Sequence, residues 1–245
     1  MANNKPAAPT ETAAIVPVVP TEIMQALSAM ARYGMEQTEL EDNFCRAIGV
    51  ATAVARLREL LSPQVMAPIM QLQGSALGFL SDREYDVDTV RTVLIQAAIE
   101  GLSIYGNQFN ILGGRMYVTK SGMAAKLRRL AERRGLRHTI VIDPPRMAQG
   151  DRGAICAAHL TWQLRGEEPR TQDLNIPVRV NSGMGADAIL GKATRKARAW
   201  LYEEITGNEV PEGEVGESAP IDITPRQAAP AAAQTASPLP QLQAM

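Results

Sequence analysis

The sequence predicts an α+β fold: N-terminal helices, then a β-hairpin and a small antiparallel sheet packed with two basic helices. Three observations carry this. Apolar residues recur at helical spacing through residues 21–101. The period falls to two around Gly113-Gly114, and again over a longer run at 153–164. Two later helical segments carry clustered Lys and Arg. A chain of 245 residues, 45% hydrophobic, suffices for one good-sized core with tails.

Residues 1–20 are rich in Ala, Pro and Thr and are expected to form a disordered tail. "TEIMQALSAMARYG" reads as a helix capped by Thr21 and stopped at Gly34. Residues 40–62 read as a longer helix with Phe44, Ile48, Val54, Leu57 and Leu61 on its apolar side, ended before Pro63. Residues 65–81 are apolar and helical in pieces. In "DVDTVRTVLIQAAIEGLSIYG", Asp86 or Asp88 can cap a helix whose stripe is Val90, Leu94, Ala97 and Ala98, and Gly101 suits a left-handed C-cap.

"FNIL-GG-RMYV" is a hairpin pattern, with glycines where the turn needs positive φ. Ser121 is read as opening the next helix, which stops at Gly135. Met123, Leu127, Leu130 and Ala131 face one way; Lys126, Arg129 and Arg133 face another. "LRHTIVID" is a strand. In "GAICAAHLTWQLRG", Cys156, Ala158, Leu160, Trp162 and Leu164 alternate with His159, Thr161, Gln163 and Arg165, as in a half-exposed antiparallel strand. "LNIPVRV" can pair beside it as an edge strand, given Pro177. The last helix, within 185–207, buries Ile189, Ala193, Ala197, Trp200 and Leu201 and presents Lys192, Arg195, Lys196 and Arg198. Residues 207–245 are acidic, then Ala/Pro/Gln-rich, and are expected to be a disordered tail. The core is therefore 21–206, with a helical part at 21–85 and a mixed helix-and-strand part at 86–206.

The net charge of -1 hides a strong asymmetry. Residues 1–104 balance at -5, residues 105–204 hold 17 basic and 9 acidic side chains, a balance of +8, and residues 205–245 balance at -4. A basic middle between acidic ends is expected of a polyanion-binding surface. The two cysteines and two histidines give no disulfide framework or zinc-ligand spacing. Without a signal peptide or an apolar run of about 18 residues, the expected place is the cytoplasm, with no membrane partner.

Sites for bond-making chemistry are not evident. "GKATRKA" fails as a phosphate loop, because position 186 is Ala and Ala193 stands where Ser or Thr is needed. Asp143, Asp151 and Asp173 read as turn acids rather than a metal cluster; Mg²⁺ is compatible with the chain but not indicated, and no cofactor is expected. Lys and Arg, by contrast, hold phosphates by charge-assisted hydrogen bonds. Arg115, Lys120, Lys126, Arg129, Arg133, Lys192, Arg195 and Lys196 are the candidate nucleic-acid-contacting cations. Single-strand binders add aromatic platforms, and among Tyr105, Phe109 and Tyr117, Tyr105 is the freest and Phe109 the best core candidate. Readout of duplex bases is not favoured, since no helix-turn-helix is evident.

The order of these elements resembles the phage RecT/Redβ single-strand annealing proteins. The features that carry it are a helix ending in "AAIEGLSI", the hairpin "FNILGGRMYV", the helix "KSGMAAKLRRLAERRG", long antiparallel strands, and a closing "GKATRKARAWLYEEI" helix. The resemblance covers roughly residues 65–206. It departs in lacking the proline-containing turn common there and in having a short, low-complexity C-terminal segment.

The resemblance implies ATP-independent annealing of complementary DNA strands in phage-type recombination, without bond-making chemistry. It implies binding of single-stranded and annealed DNA, a homo-oligomeric ring or helical filament, and a bacterial host cytoplasm, with 21–85 as the oligomerisation part and 86–206 as the nucleic-acid-binding part. A phage exonuclease or host single-strand binding protein would be a further partner. Two other readings fit the same residues: a nucleic-acid coating protein without annealing activity, and a structural or scaffold protein of an oligomeric assembly.

Overall fold

The computed structural model describes residues 19–75, 77–147, 153–181 and 183–210, and its architecture is α+β as expected. Both tails assigned to disorder fall largely outside the described residues, as does Asp151.

Helices α1 (Thr21–Gln37) and α2 (Asn43–Leu60) form an antiparallel pair against α4 (Val87–Ile99), with the short α3 (Pro63–Met70) between them in sequence. Gly34 does not stop α1. It lies inside the helix, where an added Cβ would stand 3.0 Å from Ile99 Cγ1 and 3.1 Å from Ala53 Cβ. Its role is close approach of three helices rather than termination. The same small-residue contact turns α2: Gly49, Ala53 and Leu57 are buried, while Phe44, at 82% exposure, and Ile48 face outward. The expected Phe44–Ile48 core stripe is thus corrected to a stripe of smaller residues. Asp86 caps α4, accepting from Thr89 N–H at 2.8 Å, and Gly101 follows the helix at φ +68.

Strands β1 (Phe109–Leu112) and β2 (Arg115–Val118) pair antiparallel through Gly113 and Gly114, both at positive φ. Phe109 and Ile111 are fully buried, and Phe109 stacks on Phe79 at 5.4 Å. Helix α5 (Lys120–Arg134) is capped by Thr119, not opened by Ser121, and ends on left-handed Gly135.

The larger sheet centres on β5 (Gly153–Gln163). β3 (Arg137–Ile142) and the short β4 (Arg146–Met147) lie along one edge of β5, and β6 (Arg170–Arg179) along the other. Cys156, Ala158, Leu160 and Trp162 point to one face, where α6 (Ala186–Thr206) buries Ile189, Ala193, Ala197 and Leu201. This four-residue spacing is why α6 covers the sheet with one face and keeps its Lys and Arg on the flanks. Two apolar clusters result. One joins α1–α4 and the hairpin; the other joins α5, the sheet and α6; Tyr202 borders both.

Candidate nucleic-acid interface

The flank of α6 that carries Lys192, Arg195 and Arg198 lies against the ends of β6 and β2 and the start of α5. Lys192 Nζ donates to the Arg179 carbonyl at 3.2 Å. Arg195 Nε donates to the Val118 carbonyl at 2.7 Å, and its guanidinium lies 4.3 Å from the Tyr117 ring centroid. Arg198 Nη1 donates to the Lys120 carbonyl at 2.9 Å. Each cation is thereby held at a fixed place by a backbone acceptor or an aromatic face. Lys196 makes contacts of its own and stands about 160° around the helix from Arg198, so the structure does not bring this predicted cation onto the same flank.

Across from this flank, Arg115 and Lys120 are exposed. Arg115 shares its strand face with Tyr117, and Lys120 opens α5. The Thr119 hydroxyl accepts from Gly122 N–H at 3.2 Å and donates to the Asn107 carbonyl at 2.7 Å. That second bond ties the start of α5 to the loop holding Tyr105, which is 73% exposed. Arg115, Tyr117, Lys120, Arg198 and Lys192 therefore form one band around Arg195, with Tyr105 in the loop tied to its end. The first turn of α5 contains no acid, so the N-terminal end of the helix dipole adds positive potential beside Lys120.

Arg195 belongs to this band as a support. At 4% exposure it orients Tyr117 and satisfies the end of β2, and it is not a surface phosphate contact.

The opposite flank of α5 departs from the expectation. Lys126 is 6% exposed, with Nζ 2.6 Å from Glu100 Oε2 and 4.8 Å from the Tyr202 ring centroid. Arg129 donates to the carbonyls of Glu100 (2.9 Å) and Gly101, which end α4. Burial pushes its guanidinium pKa down, and the neighbouring Arg133 adds to the effect. Arg133 pairs with Glu39, just beyond α1. A cavity of about 290 Å³ lies among these groups. Lys126 and Arg129 are thus turned inward, and Arg133 is paired within the chain; none of the three lines an open groove with the band. The reason is local. The end of α4 leaves carbonyls and a carboxylate that need cations, and α5 supplies them. Sequence reasoning missed Arg198 and Thr119 as members of the site. The signal for Thr119 was its place just before the helix, since Thr is as good an N-cap as Ser121 was taken to be.

The sheet face away from α6 carries a different arrangement. His159 stands between Asp173 (Nδ1–Oδ1 2.7 Å) and Asp143 (Nε2–Oδ2 3.7 Å), across three neighbouring strand segments. The hydrogen bond and charge of Asp173, then those of Asp143, raise the His159 pKa above its ordinary 6.5. A raised folded-state pKa gives stability that is full below the unfolded value and is lost as pH rises through the folded one. His159→Gln is therefore expected to cost more at about pH 6 than at about pH 8. Thermal melts at both values check this; an equal cost would show that the imidazolium pairing does not act.

Among the described residues, no group of three or more His, Cys, Asp or Glu could hold a metal ion, and no helix is long and apolar enough to cross a membrane. No family model, curated protein or solved structure matches the chain.

Proposed function

We propose that this chain binds single-stranded DNA along the band formed by the β2 strand, the start of α5 and the flank of α6, and anneals complementary strands without ATP. The supporting observation is the continuity of that band. Arg115, Lys120, Lys192 and Arg198 come from three elements and are brought together around Arg195, with Tyr105 in the adjoining loop. Cations in such a row neutralise successive phosphates and leave the bases free to pair. Neutralisation also lowers the repulsion between two strands, which is the physical basis of annealing in this reading. No bond in DNA is made or broken. In the same reading the protein acts as a homo-oligomer in a bacterial cytoplasm, in phage-type recombination.

Binding of a labelled, unstructured oligonucleotide across a salt series tests the reading. Each phosphate neutralised on a single strand contributes a slope of about -0.7 in log K against log salt. Four cations give a slope of roughly -2.8 if all engage. No binding at about 50 mM salt would overturn the proposal, because the electrostatic term is strongest there.

A further inference from the structure

Next to the band stands an apolar tip with no place in the electrostatic account. Leu77 is 77% exposed and Tyr105 73%, and Leu80, three residues after Leu77, is also exposed. Large apolar groups grouped on a surface and rimmed by polar residues mark a contact site.

The tip is rigidly built. The Leu77 carbonyl accepts from Gly106 N–H at 3.0 Å, and the Gly78 carbonyl accepts from Asn107 N–H at 3.0 Å. These bonds set the two loops side by side. Ser75 Oγ donates to the Leu72 carbonyl at 3.0 Å and accepts from Gly78 N–H at 3.1 Å. A side chain at Gly78 would overlap the Leu72 carbonyl, so the turn closes tightly. Directly after it, Phe79 is fully buried and stacked on Phe109. Leu77 and Tyr105 are therefore exposed from an anchored base, and a slack loop does not explain their exposure.

Their position adjoins the cations. Asn107, two residues after Tyr105, is bonded to Thr119, and Lys120 follows. A strand whose phosphate lies on Lys120 brings its base within reach of the tip. Nucleobases offer flat faces that stack on Tyr, and apolar side chains can wedge between base steps.

We propose that Leu77 and Tyr105 form an apolar tip that contacts unstacked bases of the strand held at Lys120. The proposal rests on the strand-binding reading above. It adds a base-dependent, sequence-tolerant contact to one otherwise made to phosphates.

The test compares affinity for an oligothymidylate and for an abasic strand of the same length, which keeps the phosphates and removes the bases. The wild-type chain is expected to prefer the base-bearing strand by about tenfold. Leu77→Ser with Tyr105→Ser should abolish that preference, bringing affinity for the base-bearing strand down to that for the abasic one. Tyr105→Trp alone should retain it. Both changed residues are exposed, and thermal melts confirm the fold.

If the wild-type chain binds neither strand, the strand-binding reading fails. If it binds both equally, or if the double variant keeps the preference, the tip proposal alone is overturned. It is equally overturned if the double variant changes the oligomeric state in sedimentation while the base preference stays. The tip would then be a protein contact.

Discussion

Glu100→Ala is expected to lower folding stability by about 3 kcal/mol, whereas Lys126→Met should cost roughly 1 kcal/mol or less. The two changes remove the same ion pair, yet they strand different partners. Lys126 is buried, and without Glu100 its ammonium keeps only the face of Tyr202. A buried charge without its counter-ion carries the desolvation cost of ionisation with nothing to offset it. Glu100 is less enclosed than Lys126, so after Lys126→Met its carboxylate can be hydrated, and the Met side chain fills most of the space of the Lys stem. Urea unfolding of the two variants, with an unchanged m-value, reads the difference as a shift in midpoint. Equal losses would mean that Lys126 is not enclosed by Glu100 and Tyr202. The same experiment separates folding from binding. Lys126→Met should leave oligonucleotide affinity close to wild type, because the inward flank of α5 lies off the band.

The second large effect concerns the band. Arg115→Ala, Lys120→Ala and Lys192→Ala combined should lower oligonucleotide affinity on the order of 100-fold at about 50 mM salt, and flatten the salt slope by about 2. Arg115 and Lys120 are exposed, and the contact of Lys192 is a single hydrogen bond to a strand-end carbonyl, so stability should change little. Arg195 is left intact because it is buried and supports Tyr117 and β2. Fluorescence anisotropy of the triple variant beside wild type measures affinity and slope together. A loss of affinity with an unchanged slope would point to altered shape rather than lost phosphate contacts.

Features written in a few consecutive residues were legible. The cap, read as Asp86 or Asp88 and found at Asp86, the Gly113-Gly114 turn, the Gly135 stop and the alternation of Cys156, Ala158, Leu160 and Trp162 are all local. Features that depend on what stands opposite were not. Gly34 resembles a helix stop in sequence, and only the approach of Ala53 and Ile99 shows why it continues. Phe44 and Ile48 have core chemistry, yet the helix pair closes on Gly49 and Ala53 because small residues allow the nearer approach. The candidate site divides the same way. Arg115, Lys120 and Tyr105 stand exposed as the residues suggested. Lys126 and Arg129 carry the same charge in the same helix, but the end of α4 meets that flank and captures it. Periodicity separates the apolar face of α5 from its polar side; it does not say which polar flank meets another helix end.

The most direct measurement is the pairing rate of two complementary labelled oligonucleotides, followed by fluorescence transfer without ATP, with and without the protein. The account predicts a large acceleration that declines as salt rises and is lost in the Arg115, Lys120 and Lys192 triple variant. Binding of both strands with no acceleration would contradict annealing and leave a coating protein; an acceleration untouched by the triple variant would contradict the band as the surface that holds the strand.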